Sequence, residues 1–180
     1  IVPKSSYKRY SLKLNNTYAV TDNIKLGINI TASPESKENE AGVIGMAYRA
    51  WPSSVPFLPD GSFAEVGGAG NPLAAIEYNN STNKRLRVVG NGFAEIKFLK
   101  HFLFRSSYGI DLIHSKDKSF TPAYFVNSSQ SNALNDLSIK TIDDNNWLLE
   151  NTLTYNAELG DHQLNLLGGV TAQKNTRQEF

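Results

Sequence analysis

The stretch Asn23–Thr31 reads NIKLGINIT, and its apolar and polar residues alternate without a slip. Ile24, Leu26, Ile28 and Ile30 share one face; Lys25, Gly27, Asn29 and Thr31 share the other, the period-two signature of a strand with one oily side. Five further stretches alternate in the same way. Tyr10, Leu12 and Leu14 oppose Ser11, Lys13 and Asn15 in Tyr7–Val20. In Arg85–Phe98, Val88, Gly90, Gly92, Ala94, Ile96 and Phe98 oppose Val89, Asn91, Phe93, Glu95 and Lys97. Phe104, Ser106, Tyr108, Ile110 and Leu112 oppose Arg105, Ser107, Gly109 and Asp111 in Leu103–Leu112. A fifth pattern covers Trp147–Tyr155, with Glu150, Thr152 and Thr154 polar, and a sixth covers His162–Gln173, with Leu164, Leu166, Val170 and Ala172 apolar.

The connectors pair these strands into antiparallel hairpins over residues 7–30, 85–112 and 147–173, closed by the short turns VTDN, LKHF and AELGDH. The other two connectors, 32–84 and 114–146, are long and polar. In an up-and-down sheet, the short turns fall at one end and the long loops at the other. Compact soluble domains seldom carry two such loops, whereas outer-membrane barrels have short turns at one rim and long loops at the other. Strands of about 9–11 residues also fit a tilted crossing of the hydrocarbon layer. Within the first loop, Ser33 as N-cap and Pro34 as first residue predict a helix running to Trp51, stopped by Pro52.

Composition narrows the choices. With a formal charge of +1 and pI near 8.1, the chain lacks the basic field that holds nucleic acid. No cysteine is present, so there is neither a disulfide nor a thiolate metal site. No apolar run approaches the roughly 20 residues of a membrane helix. A mean hydropathy of -0.36 is compatible with barrel strands, which are only half apolar. The N-terminal IVPKSSYKRY is already strand-like and has no leader pattern, so the chain reads as a mature product or as a piece of something longer.

Four segments then stand out in order: FLPDGSF at Phe57–Phe63, NPLAAIE at Asn71–Glu77, GNGFAEIKFLKHFLFRSSYGIDL at Gly90–Leu112 and NTLTYNAELGDHQLNLLGGVTAQ at Asn151–Gln173. Together they resemble the SusC/RagA family of TonB-dependent outer-membrane transporters for glycans or peptides. The resemblance implies a mid-barrel piece of a protein of about 22 strands, with the plug domain and the TonB box outside it. It implies no chemical step and no cofactor. It also implies a bacterial outer-membrane location and these partners: the remainder of the barrel and its plug, a SusD-type surface lipoprotein, the TonB complex, and an oligosaccharide or peptide substrate.

Candidate chemistry is sparse. His101, His114 and His162 are far apart and lack ligand spacing such as H-x-x-x-H, which marks them as surface histidines. Glu38/Glu40 and Asp143/Asp144 are adjacent acids in polar segments. The run DDNN at Asp143–Asn146 could offer oxygens to calcium but lacks D-x-D-x-D-G spacing. VGGAGNP at Val66–Pro72 has no G-K-[ST] and is not a P-loop. Glu95, Asp111 and Glu150 lie on three different strands, and no converging carboxylate pair suggests a glycosidase. Loop aromatics are the candidate substrate contacts: Tyr48, Trp51, Phe57 and Tyr124 offer faces for a sugar ring, or else pack the loops together. Tyr18, Phe98, Phe102 and Tyr155 lie near the short turns, as an interfacial girdle would.

The fold expectation is therefore all-β: antiparallel up-and-down hairpins forming part of a transmembrane β-barrel, a single partial domain over residues 1–180 with long extracellular loops. Ile24, Leu26, Ile28, Ile30, Leu164, Leu166 and Val170 are the expected lipid-facing residues. A soluble extracellular β-sheet module that binds carbohydrate is the alternative.

Overall fold

The computed structural model describes residues 2–39, 41–67 and 70–180. Glu40, Gly68 and Ala69 lie outside the described residues, and with them part of the Glu38/Glu40 pair and of the glycine-rich run. The chain order is β1 (Ser6–Arg9), β2 (Leu12–Thr21), β3 (Ile24–Glu38), α1 (Val43–Arg49), α2 (Pro72–Tyr78), β4 (Asn80–Phe98), β5 (Phe102–Thr121), β6 (Tyr124–Asn127), β7 (Gln130–Asn132), β8 (Asp136–Leu159) and β9 (His162–Glu179). Seven strands form one sheet in the order β1-β3-β4-β5-β8-β9, with β2 also on β3, while β6 and β7 form a small separate hairpin. The large sheet is open, because β9 pairs only with β8, and β1 and β2 pair only with β3.

The three expected hairpins are present, and their strands are longer than the alternation suggested. β3 continues to Glu38, β5 to Thr121, and β8 begins at Asp136, so strand replaces much of the expected loops 32–84 and 114–146. Polar residues at the added ends of β3 and β4 gave no apolar alternation to read, whereas Leu137 and Ile139 at the start of β8 do alternate with their neighbours. The expected helix Pro34–Trp51 shrinks to α1, because Ser33 and Pro34 lie inside β3. Ser33 is buried and its hydroxyl lies 3.3 Å from that of Ser11. Pro34 instead explains why the first strand is broken. The β1 register (Arg9↔Glu35) and the β2 register (Leu12↔Ala32) are in phase and place Tyr10 opposite Pro34. Tyr10 N donates to Pro34 O at 3.0 Å, but proline has no N–H to return the bond.

The chain divides into two compact units. The turn unit comprises residues 10–34, 86–114 and 142–180. Its connections are tight: Asp22–Asn23, Leu99–His101 and Gly160–Asp161 join the three hairpins. Thr21 Oγ1 accepts from the backbone N–H of Asn23 and Ile24 in the first turn. Leu99 and Lys100 hold left-handed φ of 49° and 60° in the second.

Two glycines in this unit permit close approaches. A Cβ on Gly90 would lie 2.4 Å from the carbonyl oxygen of Asn29, and one on Gly27 would meet the Phe93 ring. Gly92 has no such constraint, as a Cβ there would find only the Gly27 oxygen, at 3.8 Å.

The loop unit comprises residues 1–9, 35–85 and 115–141. It contains both helices, the β6–β7 hairpin and four of the five buried apolar residues among those described: Val43, Ala64, Val66 and Ala74. Its core is small and made of small side chains.

Candidate functional site

In the turn unit the sheet has two chemically different faces. Register places Leu12, Leu14 and Tyr18 across from Ala32, Ile30 and Leu26, with Asn16 across from Ile28. At the other end of the sheet, Leu153, Tyr155 and Ala157 lie across from Gly168, Leu166 and Leu164, and Asn151 from Val170. Most of this face is open: Leu12 is 75% exposed, Leu166 55% and Val170 69%. Leu26, Ile28 and Leu164 are exposed as well, while Ile24 and Ile30 are half-buried.

Aromatics bound this oily face at two levels. Phe98, Phe102 and Tyr155 form a contiguous stack, with ring centroids 5.4 Å and 4.9 Å apart. Tyr108 stacks on Trp147 at 6.1 Å further along the same strands. Tyr10 precedes Tyr18 by eight residues, and Trp147 precedes Tyr155 by eight. At about 3.3 Å per residue, each pair spans roughly 26 Å along its strand. The sequence pointed to the row near the turns; the second row was missed because Tyr108 and Trp147 meet only through β5–β8 pairing.

The opposite face is polar and cross-linked. Arg87 makes a bidentate pair with Asp111 at 2.9 and 2.7 Å, and Arg105 pairs with Glu95 at 2.7 Å while lying 4.3 Å over the Phe93 ring. The amide of Asn29 donates to Asn91, and Arg177 lies 3.7 Å from Asp144. Glu95, Asp111 and Glu150 are thus spread along a polar wall, with no converging pair. Apolar residues also stand on this side, among them Val89, Phe93, Leu148 and the 69% exposed Leu167.

The remaining sequence candidates are dispersed. His114 Nδ1 contacts Asp143 Oδ1, and His101 Nδ1 lies 2.9 Å from the carbonyl oxygen of Asn156. The DDNN run is strand rather than loop: it lies within β8, where successive side chains point to opposite sides. Asp143 and Asp144 therefore diverge, and no cluster of metal-ligating residues occurs among the described residues. The expected loop position of this run is thereby corrected to paired strand.

The loop unit is organised around Asn71, which is fully buried. Its Oδ1 accepts from Leu73 N at 2.9 Å and Ala74 N at 3.3 Å, capping α2 with Pro72 at the first helical position. Its Nδ2 donates to the carbonyls of Pro56 and Ala64 at 2.7 and 2.9 Å. Its backbone N–H donates to Gln130 Oε1 at 2.6 Å, and Gln130 Nε2 returns a bond to the Asn71 carbonyl at 2.9 Å. This reciprocal clasp joins the first loop to the second across 59 residues. Gly70, at φ 81°, passes close to Gln130, where a Cβ would lie 3.0 Å from Oε1. Nearby, Asp60 closes the Pro-Asp-Gly-Ser turn. Its carboxyl is held below the usual range by the Ser62 hydroxyl and backbone N–H.

An aromatic ladder rests on this frame. Phe57 lies 5.3 Å from Phe63, Phe63 meets Tyr78 edge-on at 5.6 Å, and Tyr78 stacks on Tyr124 at 4.2 Å and 11°. Tyr78 and Tyr124 line a cleft of about 350 Å³ with Asn39, Ser81, Asn79 and Thr121. Of the four candidate aromatics, Phe57 and Tyr124 belong to this ladder. Tyr48 is 91% exposed and stands apart, and Trp51 is exposed beside Gly67. Phe63, Tyr78 and Gln130 were not singled out by sequence. Asn71-Pro72 carries a legible helix start, but nothing local points to Gln130.

Comparison with known proteins matches this geometry. No family model matches the chain. TonB-dependent receptor P26 of Formosa agariphila is 27% identical over 180 residues, covering 97% of this chain and 18% of the receptor. TonB-dependent receptor P3 of the same organism is 24% identical, covering 97% and 19%. Among solved structures, the RagAB peptide transporter superposes with a TM-score of 0.73 at 19% identity, over 97% of this chain and 22% of that one. The RagAB peptide importer in its open-open state gives 0.71 at 20% identity, over 95% and 21%.

The chain resembles a segment of a SusC/RagA-type TonB-dependent transporter. It spans about a fifth of the length of these relatives. Its antiparallel sheet has the fold of the RagAB transporter barrel, and the SusC/RagA likeness accounts for the two open edges: in a closed barrel each would meet another strand. The named relatives of the SusC/RagA-like chain are receptors and transporters, not enzymes.

Proposed function

We propose that this chain is barrel wall and extracellular loop of a TonB-dependent outer-membrane transporter that imports oligosaccharides or peptides into the periplasm. The observation that carries this reading is the exposed apolar face of the turn unit, bounded by two aromatic rows. A soluble domain of this length buries its large aliphatic and aromatic side chains. Among the described residues the buried apolar ones are two valines and three alanines, while Leu12, Leu14, Leu166 and Val170 are open. The rows' separation of roughly 26 Å along strands tilted by about 40° projects to about 20 Å along the membrane normal, within the apolar band of about 25 Å in outer-membrane barrels. Ile24, Leu26, Ile28, Ile30, Leu164, Leu166 and Val170 would face lipid, and the polar wall would face the lumen and plug. Two edges open in hydrocarbon would leave backbone groups unpaired at several kcal/mol each, so further strands must complete the wall.

The Asn71–Gln130 clasp would hold the loops on the outer surface, where Tyr48 and Trp51 remain free to stack on a sugar or peptide. A SusD-type lipoprotein would close over that side, and TonB would supply energy through segments outside this sequence. Fractionation and uptake test the proposal. The full-length protein should sediment with outer membranes and support TonB-dependent uptake of labelled oligosaccharides or peptides. A protein that stays monodisperse without detergent would instead point to the soluble carbohydrate-binding module.

A further inference from the structure

We propose that the cleft lined by Tyr78 and Tyr124 is a subsite for the end of an uncharged saccharide chain and selects against acidic ones. The inference rests on the transporter reading above and narrows its substrate. Six polar residues line the cleft together with two alanines: Asn39, Tyr78, Asn79, Ser81, Thr121 and Tyr124, all within the loop unit. The walls are fixed by bonds of their own. Asn39 N donates to Ser81 O at 2.9 Å, and its side-chain amide donates to Ser81 Oγ at 3.2 Å, which joins the residue after β3 to the start of β4. The Asn71–Gln130 clasp ties the helix that carries Tyr78 to the hairpin that carries Tyr124. A site held in this way loses little freedom when a ligand enters.

Four of the six polar residues keep their side-chain groups for a ligand. The side chains of Asn79 and Thr121 and the hydroxyls of Tyr78 and Tyr124 make no hydrogen bond to any other described residue, and all four residues are half-buried. Tyr78 meets Phe63 edge-on and Tyr124 face-on, whereas the Tyr124 ring has Tyr78 as its single ring partner among the described residues. The second face of Tyr124 thus carries no ring. A pyranose has an apolar C–H face and a rim of hydroxyls, and an aromatic face beside carboxamide and hydroxyl groups meets both. At about 350 Å³ the cleft is at the small end of ligand pockets, so it takes the end of a chain and not the whole of it.

Charge decides between saccharides. Every described residue that lines the cleft is uncharged. Glu77, next to Tyr78 on α2, is not among them and is paired with Lys4 at 2.9 Å. A carboxylate or sulfate entering the cleft would shed water and meet no cation on its walls. Glu40, outside the described residues, stands between Asn39 and Ala41 in sequence and is itself an acid, so it supplies no cation either. A peptide fits less well than a sugar. Extended peptides are recognised through main-chain pairing or through their charged termini, whereas the open groups here are neutral side chains and the Asn39 N–H is already bonded to Ser81 O.

The test uses the full-length transporter in detergent, with binding read by calorimetry. The probes are neutral tetrasaccharides of glucose, galactose and mannose, the corresponding glucuronate, galacturonate and mannuronate tetramers, and an end-capped neutral peptide. The best neutral sugar should bind at least about tenfold more tightly than its uronate counterpart. N79A/T121V removes two groups that have no partner in the loop unit, and should weaken that sugar on the order of tenfold. Tyr124→Phe keeps the stack and removes one hydroxyl, and should weaken it about fivefold. In both variants the amides of 56–79 and 124–132 should keep wild-type hydrogen exchange, which a merely structural role would change. Equal or tighter binding of the uronates, binding of the peptide alone, or unchanged affinity in both variants would overturn the proposal. A protein that sediments with outer membranes yet takes up only peptides or acidic glycans would refute this subsite alone. One that binds none of the probes and stays monodisperse without detergent would refute the subsite and the transporter reading together.

Discussion

Replacing Asn71 should loosen the loops and leave the hairpins intact. The Asn71 side chain makes four hydrogen bonds, two as donor to the Pro56 and Ala64 carbonyls and two as acceptor from Leu73 and Ala74. Asn71→Ala removes the cap of α2, which is worth about 1 kcal/mol. It also leaves the buried Ala64 carbonyl without this donor, at a cost of about 1–3 kcal/mol. The Pro56 carbonyl is less affected, because Ala64 N also donates to it. The expected loss is therefore about 3 kcal/mol.

Asn71→Asp separates the two contributions. It keeps the cap and places a negative charge at a helix start, which is favourable by itself. It also turns a carboxylate oxygen toward two carbonyls, so it should be no better than alanine. Hydrogen exchange on the full-length protein reads this directly. Amides of 56–79 and 124–132 should exchange on the order of 100-fold faster in both variants, since about 1.4 kcal/mol is tenfold. Amides of β2 and β3 should not change. Wild-type protection in Asn71→Asp would show that the Nδ2 bonds to Pro56 and Ala64 carry no weight.

Leu26→Arg should impair folding into liposomes by about 2–4 kcal/mol, whereas Lys25→Leu should be tolerated; equal tolerance would refute the lipid-facing assignment. Gly90→Ala should cost about 2 kcal/mol or more, because its Cβ meets the Asn29 carbonyl. Gly168→Ala, which meets nothing within 4 Å, should be neutral, and denaturant midpoints would distinguish the two. Epitope tags at Ser129 should be labelled on intact cells and tags at Thr21 or Gly160 should not; surface labelling at Thr21 would reverse the orientation.

Much of this was legible along the chain. Period-two alternation marked the apolar side of each hairpin, and Asp22-Asn23 and Gly160-Asp161 marked the turns, because facing and turn conformation are set by neighbouring residues. The order FLPDGSF, NPLAAIE and the two hairpins carried the SusC/RagA likeness. At Asn80–Lys84 the strand end was not legible, because polar residues pair through their backbones without an apolar pattern; at the start of β8 the alternation of Leu137 and Ile139 was there but lay inside what read as a loop. Ser33-Pro34 looked like a helix start and became strand, since the β1 and β2 registers hold that segment extended and a local cap signal cannot compete with pairing on both sides. The Asn71–Gln130 clasp, the Tyr78–Tyr124 stack and the Tyr108–Trp147 row all join residues far apart in the chain. Such partners are chosen by strand order and register. Sequence alone determined which side of each strand is oily; only the tertiary structure decided which residues stand beside one another on it.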